Sequence, residues 1–341
     1  MPGQFAMTDL TVPIVAAPMA GGPSTPALAA AVTNTGGLGS IAGGLLTAEA
    51  VAERVVAARR LTTGALAVNL FVPQPPNRRS VLFDAYATAL AAEAERYGVR
   101  LGEPQYDDDD DWPAKLNMLH DLRPEVVSFT FGLPTRSEGN RLKGAGIALA
   151  ATVTTLDEAE VAFTRGVDVL VAQGPCAGGH RATFDAVAIP ADEPLDELLA
   201  ALAARVDIPV VAAGGLATSD DVKRVVGLGA IAAQCGTTFL LADEAGTNPV
   251  HRAALSDPQF TETVLTRAFT GRYARGLRNR FTEEHDDEAL FGFPEVGRLT
   301  APVQAASVKA GDPHGTSLWA GVAFRQAKCA SAAEIMGDLW W

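Results

Sequence analysis

Eight short apolar segments run through the first 240 residues, each followed by a stretch long enough for a helix, and this rhythm limits the fold more than any other feature. They are Pro13-Ile-Val-Ala-Ala-Pro-Met19, residues 37–43, Ala65-Leu-Ala-Val-Asn-Leu-Phe71, Val126-Val-Ser-Phe-Thr-Phe-Gly132, residues 146–153, residues 167–174, Ile208-Pro-Val-Val-Ala-Ala-Gly-Gly215 and residues 230–240. Their hydrophobicity is continuous rather than alternating, so both faces of each strand are covered, as in a parallel sheet. Between them, Thr47, Thr155 and Thr218 stand where helix N-caps are expected. Eight βα units are the number for an α/β fold of the (β/α)8 TIM-barrel type, whose functional residues lie in the loops after the strands' C-terminal ends.

The chain has 341 residues, more than the roughly 250 of a plain barrel, so added structure is expected. The excess falls in residues 73–120, rich in proline and acid, and residues 241–310, rich in Arg, Asp and Phe. A formal charge of −13 argues against nucleic acid as a partner, because such binding neutralises phosphates with Lys and Arg. Cys176, Cys235 and Cys329 form no CxxC pair and no ligand cluster, so neither a disulfide framework nor a metal site is expected. With no apolar stretch long enough to span a bilayer and no secretion-type N-terminus, a reduced cytoplasmic setting without membrane contact is expected. The run Asp107 to Asp111 reads as a solvated loop, since consecutive carboxylates repel and show no ligand spacing.

The strand ends carry the candidate chemistry. The seventh apolar segment closes on Gly214-Gly215 and the eighth contains Gln234-Cys235-Gly236-Thr237. Glycines there either make tight turns or let backbone N–H groups crowd around a phosphate; at two adjacent strand ends the phosphate reading is favoured. The sixth runs into Gln173-Gly-Pro-Cys-Ala-Gly-Gly-His-Arg181, where Gly178 and Gly179 allow close backbone approach and place His180 at the barrel mouth. Asn69, near the end of the third, is a buried amide that needs polar partners, from a ligand or a network. Met19, after Ala17-Pro18, either fills core or packs on a cofactor ring. His120, His251, His285 and His314 show nothing converging on them. Gly37, Gly39 and Gly43 miss the dinucleotide fingerprint by one residue and lack its acidic partner.

The motifs Ala17-Pro-Met-Ala-Gly-Gly22, Asn34-Thr-Gly-Gly-Leu-Gly39, Asn69-Leu-Phe71, Val127-Ser-Phe-Thr-Phe-Gly132, Ala172-Gln-Gly174, Ala177-Gly-Gly-His-Arg181, Val211-Ala-Ala-Gly-Gly215, Gln234-Cys-Gly-Thr237 and Gly271-Arg-Tyr-Ala-Arg-Gly276, in this order, resemble the nitronate monooxygenase (2-nitropropane dioxygenase) family, class I-like, over most of the chain. The resemblance implies a flavin enzyme with non-covalent FMN, its phosphate near Gly215, Gly236 and Thr237 and its ring near Met19, Asn69, Gln173 and Gly178. It implies that His180 faces the substrate and that Tyr106 lines the site. It implies oxidation of alkyl nitronates by O2 through an anionic flavin semiquinone, giving a carbonyl compound and nitrite. It also makes residues 1–75, 120–240 and 305–341 the FMN-binding barrel, and 76–119 and 241–304 a smaller inserted α/β lid, in a monomer or homodimer.

A nitronate is a small anion, so a protein of net −13 needs local donors to hold it, and His180 is the best placed. An imidazole near neutral pKa can also remove the α-proton of a neutral nitroalkane. The chain departs from the class I pattern at Cys176, where Glu is usual, at Phe293 and Gly297, where other aromatic residues stand, and at Val322, where Gln is common. These changes bear on the substrate rather than the cofactor. Cys176 is either a reactive thiol at the mouth or a small buried filler. Two alternatives share the fold: an NAD(P)H-dependent flavin reductase of quinones or enoyl thioesters, and a catalytically idle flavin-binding module.

Overall fold

A computed structural model describes residues 5–340. The apolar segments form β1 (Ile14–Ala16), β2 (Gly39–Ala42), β3 (Leu66–Phe71), β4 (Val126–Thr130), β5 (Ala148–Val153), β6 (Val169–Gln173), β8 (Val210–Ala213) and β9 (Ala232–Cys235). These eight are parallel in the order β1-β9-β8-β6-β5-β4-β3-β2. A bridge between Val15 and Leu38 joins the two ends and closes the barrel. The intervening helices start where the sequence indicated: Thr47, Thr155 and Thr218 accept from the amides of Ala50, Glu158 and Asp221.

Strand parity explains both layers of the barrel. Val68, Leu70, Val127, Phe129, Leu170 and Ala212 face the helices and build the main core. Val15, Ala67, Ala150, Val171, Val211 and Ala232 form the inner core. Continued toward the strands' C-terminal ends, the inner parity reaches Asn69, Ser128, Thr130, Thr152, Gln173 and Gln234. The barrel interior therefore changes from aliphatic to polar at its mouth.

A short strand β7 (Gly179–His180) leaves the barrel and joins β10 (Thr263–Thr266) and β11 (Ala274–Leu277) in an antiparallel sheet of order β10-β11-β7. Beside it, Phe83, Tyr86, Phe269, Phe281, Val296, Leu299 and Val303 make a second, separate core, in the segments expected to form a lid. The barrel–lid boundaries expected at 119/120 and 304/305 fall inside the helices Trp112–Leu122 and Glu295–Ala310. The first of these sends Trp112, Leu116 and Leu119 into the barrel's outer core, and the second gives the separate core three of its residues.

The acidic run is only in part the solvated loop its composition suggested: Asp107 and Asp109 are exposed, while Asp108, Asp110 and Asp111 are held by partners. Asp108 pairs with Arg298 at 2.6 Å and Asp110 with the fully buried Lys115 at 2.8 Å. Asp110 also accepts from the Leu45 amide at 2.8 Å and Asp111 from the Ala48 amide at 2.7 Å. Arg298, Lys115 and the amides of Leu45 and Ala48 neutralise the repulsion, and the run ties the helix Glu295–Ala310 to the barrel. Among the described residues no helix is long and apolar enough to cross a membrane.

Candidate active site

His180 is held from three sides. The Gln173 side chain at the end of β6 donates to the His180 carbonyl at 3.0 Å and accepts from the Ala182 amide at 3.0 Å, so this glutamine staples its own loop. β7 pairs His180 with Ala274 of β11. Gly178 lies flush on the segment Ala320-Gly321, where an added Cβ would stand 2.4 Å from the Gly321 nitrogen; only glycine permits that approach. The result is a half-buried imidazole ringed by Phe293 at 5.3 Å, Phe131 at 5.6 Å, Trp319 at 5.7 Å and Phe71 at 6.4 Å between centroids.

Phe131 reaches that ring through a left-handed backbone, with φ 75°, a conformation that bulky residues adopt only where surrounding contacts impose it. Those contacts are visible: Gln74 donates to the Phe131 carbonyl at 2.8 Å, and the Arg272 guanidinium lies 4.0 Å over its ring. Arg272 is itself buried and donates to the carbonyl and hydroxyl of Thr183. Burial, and then the positive charge of Arg272, push the His180 imidazole down to about 3. This corrects the near-neutral imidazole expected from sequence, because that expectation contained neither the aromatic enclosure nor the buried cation. The His180 Nε2 lies 2.9 Å from the Thr270 hydroxyl.

The opposite side of the mouth is main chain. Gly215, past β8, has φ 74°, and an added Cβ there would lie 2.9 Å from that of Cys176. Gly214 is also left-handed. Gly236 follows β9, and an added Cβ there would meet the Ala17 Cβ at 3.2 Å and the Met19 sulfur at 3.7 Å. The Ala17-Pro18-Met19 segment is tied to β9 by the Ala17 amide, which donates to the Cys235 carbonyl at 2.8 Å. Thr237 Oγ1 accepts from the Gly321 amide at 2.9 Å, which leaves its hydroxyl proton free to donate. Among the described residues the amides of Gly215, Gly236 and Thr237 donate to no protein acceptor.

Several sequence-level candidates take more specific positions. Asn69 is buried, and its amide donates to the Ser128 carbonyl and to the hydroxyls of Ser128 and Thr130 at 3.0–3.2 Å; the partners it required come from β4. Gln234 is half-buried on the inner parity. Cys235 faces the outer core and burial pushes its thiol up to about 12, so it offers the mouth its backbone alone. Cys176 is half-buried beside Gly215, and its carbonyl accepts from the Val322 amide at 3.2 Å. Tyr106 packs at the edge of the lid core against Phe83, outside the rings that surround His180. Trp319, Thr270 and Arg272 were not candidates from sequence. Arg272 lies within the Gly271-to-Gly276 motif, which was the available signal for it.

Unpaired amides, a hydroxyl donor and glycine-lined strand ends form a neutral donor set that fits the phosphate of FMN, and the polar mouth above a small-residue interior fits its ring. Glu93, Glu284 and His285 gather as potential metal ligands, but the Arg280 guanidinium already bonds both oxygens of Glu93, so this cluster works as an ion pair.

The family model for nitronate monooxygenase matches residues 4–340. A nitronate monooxygenase of Pseudomonas aeruginosa is 38% identical over 96% of this chain and 95% of its own length. The solved nitroalkane oxidase of Streptomyces ansochromogenes is 44% identical, covers 97% of this chain and 96% of its own, and superposes with a TM-score of 0.93. FabK from Thermotoga maritima, 23% identical with a TM-score of 0.75 over 98% of this chain and 93% of its own, shares the fold.

Proposed function

The chain belongs to the nitronate monooxygenase family, and from that premise we propose that it oxidises alkyl nitronates, and their parent nitroalkanes, with O2 and non-covalent FMN to a carbonyl compound and nitrite. The observation that carries this reading is the pairing, at one barrel mouth, of a neutral main-chain cradle with an aromatic-walled imidazole. Gly215, Gly236 and Thr237 would hold the phosphate of the cofactor, and Ala17, Pro18, Met19, Asn69, Gln173, Gly178, Gly179, Gly214, Gln234 and the Cys235 backbone would border the rest. When bound, FMN supplies the redox chemistry that no side chain of this site provides.

The protein's own part is to bind, enclose and deprotonate. Phe71, Phe131, Phe293 and Trp319 keep water from the reacting carbon, which strengthens every polar contact within the enclosure. His180 is neutral there, so it meets a neutral nitroalkane as a proton acceptor, and the imidazolium so formed can donate to the nitronate. Formation of a nitronate beside it places negative charge next to the imidazole, and this raises its basicity as the proton moves.

The test is nitrite release, under air, by FMN-loaded protein given ethyl nitronate or nitroethane. Nitrite from both supports the reading. Absence of nitrite from either substrate, with rapid NADH consumption on addition of a quinone, overturns it.

A further inference from the structure

Resting on the functional reading above, we propose that Thr270 is a positioning residue that holds His180 as its Nε2–H tautomer and leaves Nδ1 as the lone pair that takes the substrate's proton. The inference starts from one hydroxyl with two neighbours. Thr270 Oγ1 lies 2.9 Å from His180 Nε2 and 3.3 Å from the Arg272 carbonyl oxygen. A carbonyl only accepts, and the hydroxyl has a single proton. Both contacts are made at once only when that proton is directed at the Arg272 carbonyl, which receives no other protein donor among the described residues; the Thr270 oxygen then accepts, and the proton in the 2.9 Å contact belongs to Nε2.

The turn that carries Thr270 is fixed well enough to impose this choice. The amides of Thr270 and Gly271 both donate to the Arg267 carbonyl, at 3.2 and 2.8 Å. The Gly292 amide donates to the Gly271 carbonyl at 3.1 Å, and Thr300 Oγ1 donates to the neighbouring Phe269 carbonyl at 2.6 Å. His180 is fixed as firmly by β7 and Gln173. Nδ1 makes no hydrogen bond with the protein and is absent from the atoms buried without a partner, so it is open to solvent. One ring nitrogen is committed and the other is free.

In the step this arrangement serves, the Cα–H bond of a nitroalkane breaks and its electron pair moves into the nitro group, forming the nitronate. The proton goes to Nδ1. The imidazolium then donates from Nε2 to Thr270 in a charge-assisted hydrogen bond, stronger than the one it replaces. A substrate supplied as the nitronate needs no such transfer. Thr270 therefore acts selectively on the neutral substrate.

The experiment is 15N NMR of the histidines in the FMN-loaded protein, with His180 assigned by its Asn variant, together with turnover of nitroethane and ethyl nitronate by Thr270→Val and Thr270→Ser. The expected spectrum has a protonated Nε2 and a bare Nδ1. Thr270→Val mixes the tautomers and lowers nitroethane turnover at least about tenfold more than nitronate turnover, while Thr270→Ser restores both the tautomer and the ratio. A wild-type His180 protonated on Nδ1, or an unchanged substrate ratio in Thr270→Val, overturns the proposal. If neither substrate is turned over, the functional reading fails, and the spectrum still decides what Thr270 does.

Discussion

At the ends of β8 and β9 the mouth is lined by main chain, whereas around His180 it is lined by side chains from five separate parts of the sequence: Phe71, Phe131, Thr270, Phe293 and Trp319. The first half needs little more than glycines at the right strand ends, and it is local to the barrel. The second half depends on the chain outside the eight βα units, because Thr270, Phe293 and the Arg272 that flanks Phe131 all come from beyond residue 240. Cofactor retention and substrate handling should therefore respond to different mutations.

Asp110→Asn makes the largest cut in that comparison. It leaves the fully buried Lys115 ammonium without its partner, at a cost of about 3–5 kcal/mol. A thermal scan should show the loss, and because the tie between the acidic run and the barrel is what weakens, nitronate KM should rise well before flavin content falls. Parallel losses of both would show that the two halves are one unit. His180→Asn acts only on the side-chain half: nitroethane turnover should drop about hundredfold with nitronate turnover less affected and flavin content retained. Equal loss on both substrates would remove the proton-transfer role.

Gly178→Val attacks the seam where the halves meet. Its Cβ would stand 2.4 Å from the Gly321 nitrogen and 2.6 Å from the Ala320 carbonyl carbon, so backbone must move, at about 1–3 kcal/mol of overpacking. Because Gly321 also donates to Thr237, FMN should be retained about tenfold less well, as read from the flavin absorbance of the purified protein. Full flavin content in this variant would place the cofactor cradle elsewhere.

A separate effect, on stability rather than turnover, is in pH. Burial holds His180 at about 3 and His251 at about 4, both below the ordinary 6.5. Since these native values are depressed, the unfolded chain binds protons first as pH falls. Stability is complete above about pH 6.5 and is lost progressively below it, by about 1.4 kcal/mol per pH unit for each histidine, until pH reaches about 4 for His251 and about 3 for His180. Urea midpoints at pH 7, 6 and 5 check this, and a flat series would mean that the imidazoles are not enclosed.

The same division explains what could be read without coordinates. The eight strands were legible because a strand buried on both faces writes a continuous apolar run, and the caps at Thr47, Thr155 and Thr218 because capping is local. The positions of Gly215, Gly236 and the His180 loop at strand ends were legible because the βα rhythm fixes where each strand stops. Trp319 and Thr270 were not, since nothing near them in sequence records that they meet His180. The acidic run misled in part for the same reason: Arg298 and the Leu45 and Ala48 amides that meet it lie far away in sequence. The depressed imidazole is a property of the enclosure, and it could not be read before the enclosure was known.

The central claim, one mouth that joins an FMN cradle to nitronate chemistry, is tested most directly by the visible spectrum of the purified protein during anaerobic addition of propyl-2-nitronate. The account predicts oxidised-flavin bands in the starting protein that are lost as nitronate is added. Flavin that stays oxidised, or protein that cannot take up FMN, would contradict it.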